Sequence, residues 1–460
     1  MTAHPGTSAG SGGGAAAAAG APAASGVEGR LDRLGIPYPL RWGFLGVLVF
    51  MTGHGVESNF IEPHMTAALG SGDVVATIIV VYGFAVIVAS YLSGALSDLF
   101  GPRRIMLLGF LVWVVFQAAF LVSLETGSTT LVLLSYFCRG FGYPLFAFAF
   151  LVWINSVVSL ERNGVAVGWF YVMFTGGLPT LGSLIAVGAI PAFGGGYGGE
   201  TGAMIGSTLL VLAGFLITWF GVRERHGLGR LAPAGESASQ VLLSGLLLTV
   251  REPRILMGFL VRLINTSPQY GMFLVLPVVI ADERGFGQSR WLIMTVCVYA
   301  ANIGVNAVFG AVGDRIGWVR TVRWFGIFGS ALGLLAWWYV PQLVPAGSGW
   351  GYALSLVAGV AFGIMLAGFV PMGAIMPNLT PDHKGAAMAM YTTAAGGAAF
   401  SGAGVVALVR ALGGGGEAAV WVFVGMYAVA FVLVGFLKTP QDEDPALRHH
   451  GADAPEASTS

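Results

Sequence analysis
The sequence predicts an all-α membrane protein in which twelve transmembrane helices form two pseudo-symmetric six-helix halves. Three observations carry that expectation. Charged residues make up only 10% of the 460-residue chain and hydrophobic ones 56%, whereas an ordinary soluble domain is about a quarter charged. About twelve apolar stretches follow one another, each near the roughly 20 residues a helix needs to cross a bilayer. A glycine–aspartate loop recurs in the second half of the chain, its aspartates, Asp98 and Asp314, standing 216 positions apart.

Residues 1–38 are almost wholly Gly, Ala, Ser and Pro and have little to bury, which predicts a disordered tail. A secretory signal peptide is the competing reading, but the segment lacks a basic leading region and a strongly hydrophobic core. Spans begin near Arg41, Val74, Ile105, Thr129, Gly164 and Thr201 and form a first half over 39–222. A long linker covers 223–252, spans near Pro253, Ser289, Thr321, Gly351, Gly385 and Ala418 form a second half over 253–437, and a polar tail covers 438–460. Seventeen of the 22 basic residues fall on the side of the termini, three (Arg284, Arg290 and Arg410) on the other, and two, Arg139 and Arg262, inside spans. Basic loops stay in the cytoplasm, so both termini are expected inside, with the chain a multi-pass protein of the cell inner (plasma) membrane.

Zero net charge without a basic block argues against nucleic acid as a partner. Cys138 and Cys297 lie in apolar runs and read as packing residues instead of a disulfide or metal site. His64, His226 and His383 are scattered, and no nucleophile–base pair or cofactor loop stands in the spans, so no enzyme, metal or cofactor is expected. The expected partners are the bilayer, a small polar solute and protons, with the chain a monomer.

The most specific motif is Gly94-x-x-x-Asp98-x-x-Gly101-x-Arg103-Arg104, repeated as Gly310-x-x-x-Asp314-x-x-Gly317-x-x-Arg320. The glycines let helices approach closely and the aspartates accept from helix-terminal amides and arginines, which makes the set a candidate gate. The loop resembles the signature of the major facilitator superfamily, the alternative being an ordinary basic loop. A second echo pairs Gly164–Phe170 with Gly385–Tyr391.

Three ionisable groups lie deep in spans. Arg139 needs a partner inside the bundle, since an arginine at that depth costs roughly 2.5–3.5 kcal/mol; the superfamily resemblance implies a link to proton coupling, although Gly142 replaces the usual polar residue three positions on. His54, Glu57 and Ser58 share one helical face. Burial favours the neutral form of Glu57 and a nearby arginine its charged form, so Glu57, with His54, is a proton-coupling candidate. The plainer alternatives are that Glu57 statically neutralises Arg139 or Arg262 and that His54 is a satisfied core residue. Arg262, Asn265, Thr266 and Gln269 form an i, i+3, i+4, i+7 stripe beside Pro268. With Tyr299, Asn302 and Asn306 on the next span and Tyr143 on the fourth, they are the candidate substrate surface, offering the donors and acceptors an uncharged hydroxylated solute needs. Interhelical packing is the alternative for the asparagines. Gly176–Gly182 is a bending element, only loosely like the glycine–proline helix of drug antiporters.

Several segments resemble the polyol (ribitol and D-arabinitol) permeases of the superfamily: Phe50–Gly53, Arg139–Phe146, Arg262–Thr266, Gly317–Trp318 with Arg323–Gly326, Phe369–Met372 and Pro381–Ala387. The resemblance spans the membrane domain and implies inward transport of a sugar alcohol with protons by alternating access. One departure is His54, where those permeases tend to carry an acid. A proton-coupled sugar or organic-anion symporter is the nearest alternative, a drug exporter a weaker one, and a non-transporting membrane sensor the alternative of another class.

Overall fold
The computed structural model describes residues 26–58, 60–232, 235, 237–444 and 448. The first half contains α1 (Gly26–Leu34), α2 (Arg41–Gly55), α3 (Ile61–Leu69), α4 (Gly72–Phe100), α5 (Pro102–Thr126), α6 (Thr129–Arg139), α7 (Gly142–Val157), α8 (Asn163–Thr175), α9 (Gly182–Ala192) and α10 (Gly196–Gly221). The helix α11 (Ala238–Arg251) lies between the halves. The second half contains α12 (Pro253–Met272), α13 (Gln288–Ile316), α14 (Trp318–Thr321), α15 (Ser330–Leu343), α16 (Gly349–Leu366), α17 (Met372–Leu379), α18 (Lys384–Ala411) and α19 (Gly416–Val434), followed by the short α20 (Pro440–Glu443).

Among the described residues, ten crossings are long and apolar enough to span a bilayer. Several are composite: α6 runs into α7, α8 continues through a π-helical turn at Gly176–Leu181 into α9, and α16 passes through Ala367–Phe369 into α17. The other two expected crossings open the two halves. The first, α2, is only 15 residues long and breaks after Gly55 before α3 resumes the path. The second, α12, is diluted by Arg254, Arg262, Asn265 and Gln269 and ends at Met272 after an internal Pro268. Interrupted helices at matching places in two halves are where transport folds put their solute.

The described parts of the tails and of the linker carry more structure than the sequence predicts. Residues 1–25 of the tail lie outside the described residues, but Gly26–Leu34 is helical, with Leu31 and Leu34 interrupting the small-residue run at helical spacing. The linker carries α11, started by a capping box between Ser237 and Gln240. In the C-terminal tail, Gln441 is buried and its Oε1 accepts from Trp318 N at 3.3 Å.

Helix pairs α2–α10, α5–α7, α12–α18 and α15–α16 pack within the halves, and α4–α18 and α8–α13 pack between them. Aromatic rings fill the first half's interior, with Phe50 stacked on Phe146 at 3.9 Å between centroids. Leu184, Val187, Leu209 and Phe220 point outward, as side chains facing lipid do.

Candidate functional site
The close packing between halves sits at the end of the bundle where α1 and α20 lie. A methyl group on Gly94 of α4 would come within 2.5 Å of Gly385 O and 2.6 Å of Ala389 N, both on α18, and one on Gly310 of α13 within 2.3 Å of Gly164 O at the start of α8. Only glycine permits that approach. The two aspartates, expected in loops, stand in the last turns of α4 and α13 and fasten the seams. Asp314 is 2% exposed and accepts from Gly164 N at 2.9 Å, Val165 N at 2.8 Å and the Trp318 indole at 2.7 Å, a carboxylate at the positive N-terminus of α8. Asp98, also buried, lies against Gly385 at the start of α18, and its backbone oxygen accepts from Leu231 N and Ala232 N at 2.9 and 3.0 Å. Gly101 and Gly317 turn the chain at φ 85° and 106°. Arg103 donates to Trp219 O at 2.6 Å and lies over its ring, while Arg104 and Arg320 are exposed.

Beyond this seal the halves part around a cavity of about 380 Å³. Its polar wall comprises Tyr143, Arg262, Thr266, Gln269, Tyr299 and Asn302, all expected from the sequence, together with Ser58, Tyr82, Tyr171, Thr175 and Tyr270. Gln269 Nε2 donates to Tyr299 Oη at 3.1 Å and Asn302 Nδ2 to Gly363 O at 2.9 Å. Arg262 is 4% exposed; its Nη1 donates to Thr266 Oγ1, and its guanidinium carbon lies 4.2 Å from the Phe369 ring centroid. Among the described residues no carboxylate pairs with it.

Two expected lining residues face elsewhere. Asn265 is fully buried, with its Nδ2 on Gly326 O. At 3.6 residues per turn it stands about 60° around the helix from Arg262, at the edge of the stripe, and that edge meets the neighbouring helix. Asn306 is also fully buried and absent from the wall. Seven residues along α13 from Tyr299 moves it about 10 Å toward the closed end, where its backbone oxygen would be 2.7 Å from a methyl group on Gly168.

Glu57 and Arg139 form a buried ion pair, with Arg139 fully enclosed by protein and its guanidinium above the rings of Trp113, Phe120 and Tyr136. Of the two arginines considered for Glu57, Arg139 is the one it reaches. Neither lines the cavity, but Ser58 and Tyr82 do, so the pair sits just behind its wall. His54 has neutral partners: the Trp113 indole donates to its Nδ1 at 3.0 Å, Tyr82 Oη is 3.5 Å from Nε2, and its ring stacks on Tyr143 at 4.6 Å. An indole only donates, so Nδ1 holds a lone pair, and protonating it requires breaking that bond.

Beside the cavity lies a contact that composition and helical periodicity do not indicate. Tyr171 of α8 and Tyr391 of α18 share a hydrogen bond of 2.6 Å across the halves, beside Arg262. The available signal was position: Tyr391 closes one echoed segment and Tyr171 directly follows the other.

The sequence profile of the Major Facilitator Superfamily matches residues 42–403. The D-arabinitol transporter of Klebsiella pneumoniae is 34% identical over 92% of this chain and 97% of its own length. The ribitol transporter of the same organism is 35% identical over 88% and 93%, and the alpha-ketoglutarate permease of Bacillus subtilis (strain 168) is 35% identical over 88% and 91%. Among solved structures, a bacterial homologue of the iron transporter ferroportin in an outward-facing state superposes with a TM-score of 0.69 at 14% identity, over 86% of this chain and 98% of that one; the likeness is one of fold.

Proposed function
Because the chain belongs to the major facilitator superfamily and is a multi-pass membrane transporter, we propose that it imports a sugar alcohol such as arabinitol or ribitol together with protons. The observation that carries this reading is the cavity between the halves, shut at one end, whose wall sets hydroxyl and amide groups among aromatic and aliphatic side chains. Five tyrosines, with Thr266, Gln269 and Asn302, present both donors and acceptors, matching a solute whose every carbon bears a hydroxyl. The similarity to proteins named D-arabinitol and ribitol transporters supports the same class. The shut end is the cytoplasmic one in this reading, with both termini in the cytoplasm, the Asp98 and Asp314 seams as the inner gate, and a monomer in the plasma membrane as the working unit.

Glu57 is the proton carrier in this proposal. It lies one residue from the cavity wall, and its counter-charge is Arg139. A proton on Glu57 frees a guanidinium that is fully buried, a costly arrangement unless solute binding or closure rearranges the pair. His54, bound by an indole at Nδ1, positions Trp113 and Tyr143.

A second reading is favoured by one observation, the Arg262 guanidinium in the cavity wall with no carboxylate partner among the described residues. It suits a carboxylate on the solute, and one relative is named an alpha-ketoglutarate permease. Uptake into proteoliposomes decides between them. Labelled arabinitol or ribitol accumulating only under an inward proton gradient supports the polyol reading; uptake of a keto acid that Arg262→Gln abolishes, with no polyol uptake, overturns it in favour of the acid.

A further inference from the structure
The helix α11 has no role in the site described above, yet it lies directly over one seam between the halves. It packs on both α4 and α18. Tyr91 of α4 donates from its hydroxyl to Leu242 O at 2.7 Å. At Gly245 the two halves meet one residue: a methyl group there would be 2.9 Å from the Tyr91 ring and 3.2 Å from Ala386 O of α18. Tyr91 is three residues from Gly94 and Ala386 adjoins Gly385, so α11 covers the place where α4 and α18 touch.

Its opposite face is apolar. Leu243, Leu246, Leu247 and Val250 are 52%, 53%, 44% and 83% exposed, at i, i+3, i+4 and i+7. A helix facing water carries polar groups on that side. At 14 residues α11 is about 21 Å long, too short to cross a bilayer. A short helix with one face on protein and an aliphatic stripe on the other belongs in the head-group boundary of a membrane. The stripe continues into Leu256 at the start of α12, 42% exposed. Arg251 and Arg254, both exposed, follow it with a single acid, Glu252, between them, so its C-terminal end has a net positive charge suited to anionic head groups.

We infer that α11 is a membrane-surface helix whose partner is the anionic face of the bilayer, and that through its seat on Tyr91 and Ala386 this lipid contact holds the α4–α18 seam shut. The first part is independent of what the protein carries; the second rests on the seam opening during transport.

The test uses the full-length protein, with Cys138 and Cys297 changed to Ala, in phosphatidylcholine vesicles with and without phosphatidylglycerol. A polarity-sensitive fluorophore on Val250→Cys, a position free of internal packing, is expected to shift to the blue and to be quenched by spin-labelled lipid. A water-like spectrum without quenching overturns the lipid contact. Separately, Met388→Cys, buried beside the seam, reports opening by its rate of alkylation from that side. Leu246→Glu with Leu247→Glu, or omission of phosphatidylglycerol, is expected to raise that rate severalfold, and Arg251→Gln with Arg254→Gln to remove the response to phosphatidylglycerol. Rates unchanged by both the glutamates and the lipid overturn the clasp. Neither readout needs a substrate, so failure of the polyol assignment leaves both tests interpretable.

Discussion

Gly385→Ala is the sharpest test of the seal. A methyl group at this position would lie 2.0–2.2 Å from the three carboxyl atoms of Asp98, far inside van der Waals contact, so the carboxylate must leave its place. Asp98 is only 5% exposed, and displacing a buried charged acceptor from its hydrogen bonds costs about 1.5–3 kcal/mol. That cost falls on the closed arrangement, because the clash disappears once α4 and α18 separate. At about 1.4 kcal/mol per tenfold, the ratio of open to closed populations should rise about 10- to 150-fold. Gly404→Ala, in the same helix with nothing within 4 Å of the added carbon, is the control and is expected to be neutral or slightly stabilising. The assay is alkylation of the Met388→Cys reporter from the sealed side in vesicles, alongside thermal unfolding in detergent. A faster rate for Gly385→Ala with Gly404→Ala unchanged supports the seal; equal rates with a folded protein refute it.

Glu57→Gln leaves Arg139 buried without a counter-charge and is expected to cost about 3–5 kcal/mol, read as a lowered unfolding temperature, with Arg139→Gln added to it recovering part of the loss. Asn265→Leu is expected to lower stability while leaving the solute KM unchanged, whereas Asn302→Leu, at the cavity wall, is expected to raise KM; the reverse pattern refutes the wall assignment. Glu224, outside the membrane segments, is raised by burial but pulled below the usual carboxylate range overall by bonds from the His226 amide and ring, the Trp153 indole and the Gly227 amide. Its contribution to holding the linker is therefore present above about pH 4.3 and lost as pH falls through its depressed value, which Trp153 fluorescence should register only in acid.

The helices and their order were legible because a bilayer demands long apolar runs and leaves few alternatives. So were most wall residues: Arg262, Thr266 and Gln269 follow from helical periodicity within α12. Periodicity gives a direction around one axis, however, and says nothing of which neighbour stands there. Asn265 and Asn306 carry the same amide as Asn302, yet one meets Gly326 O and the other lies below the floor. Tyr171 and Tyr391 were illegible for the converse reason: each is an ordinary aromatic in its own helix, and their bond exists only once the halves meet.

That meeting explains why two separate echoes occur in the chain. The aspartate loop recurs at Asp98 and Asp314, the glycine-led segment at Gly164 and Gly385, and neither echo explains the other within a half. Across halves they interlock: Asp314 binds the amides of Gly164 and Val165, and Asp98 lies on Gly385. Each half thus supplies one acid and one glycine-led helix start, and a pseudo-two-fold rotation makes both seams at once. A carboxylate at a helix end alone would be a buried charge without compensation, and a helix start alone would leave amides unsatisfied at the interface. Repeating both in both halves satisfies the two demands together only while the halves are closed. In the proposed transport cycle the pairing that seals this end weighs on the balance between closed and open states, and Asp314→Asn, which keeps the shape but removes the charge at the start of α8, should shift that balance in the same direction as Gly385→Ala.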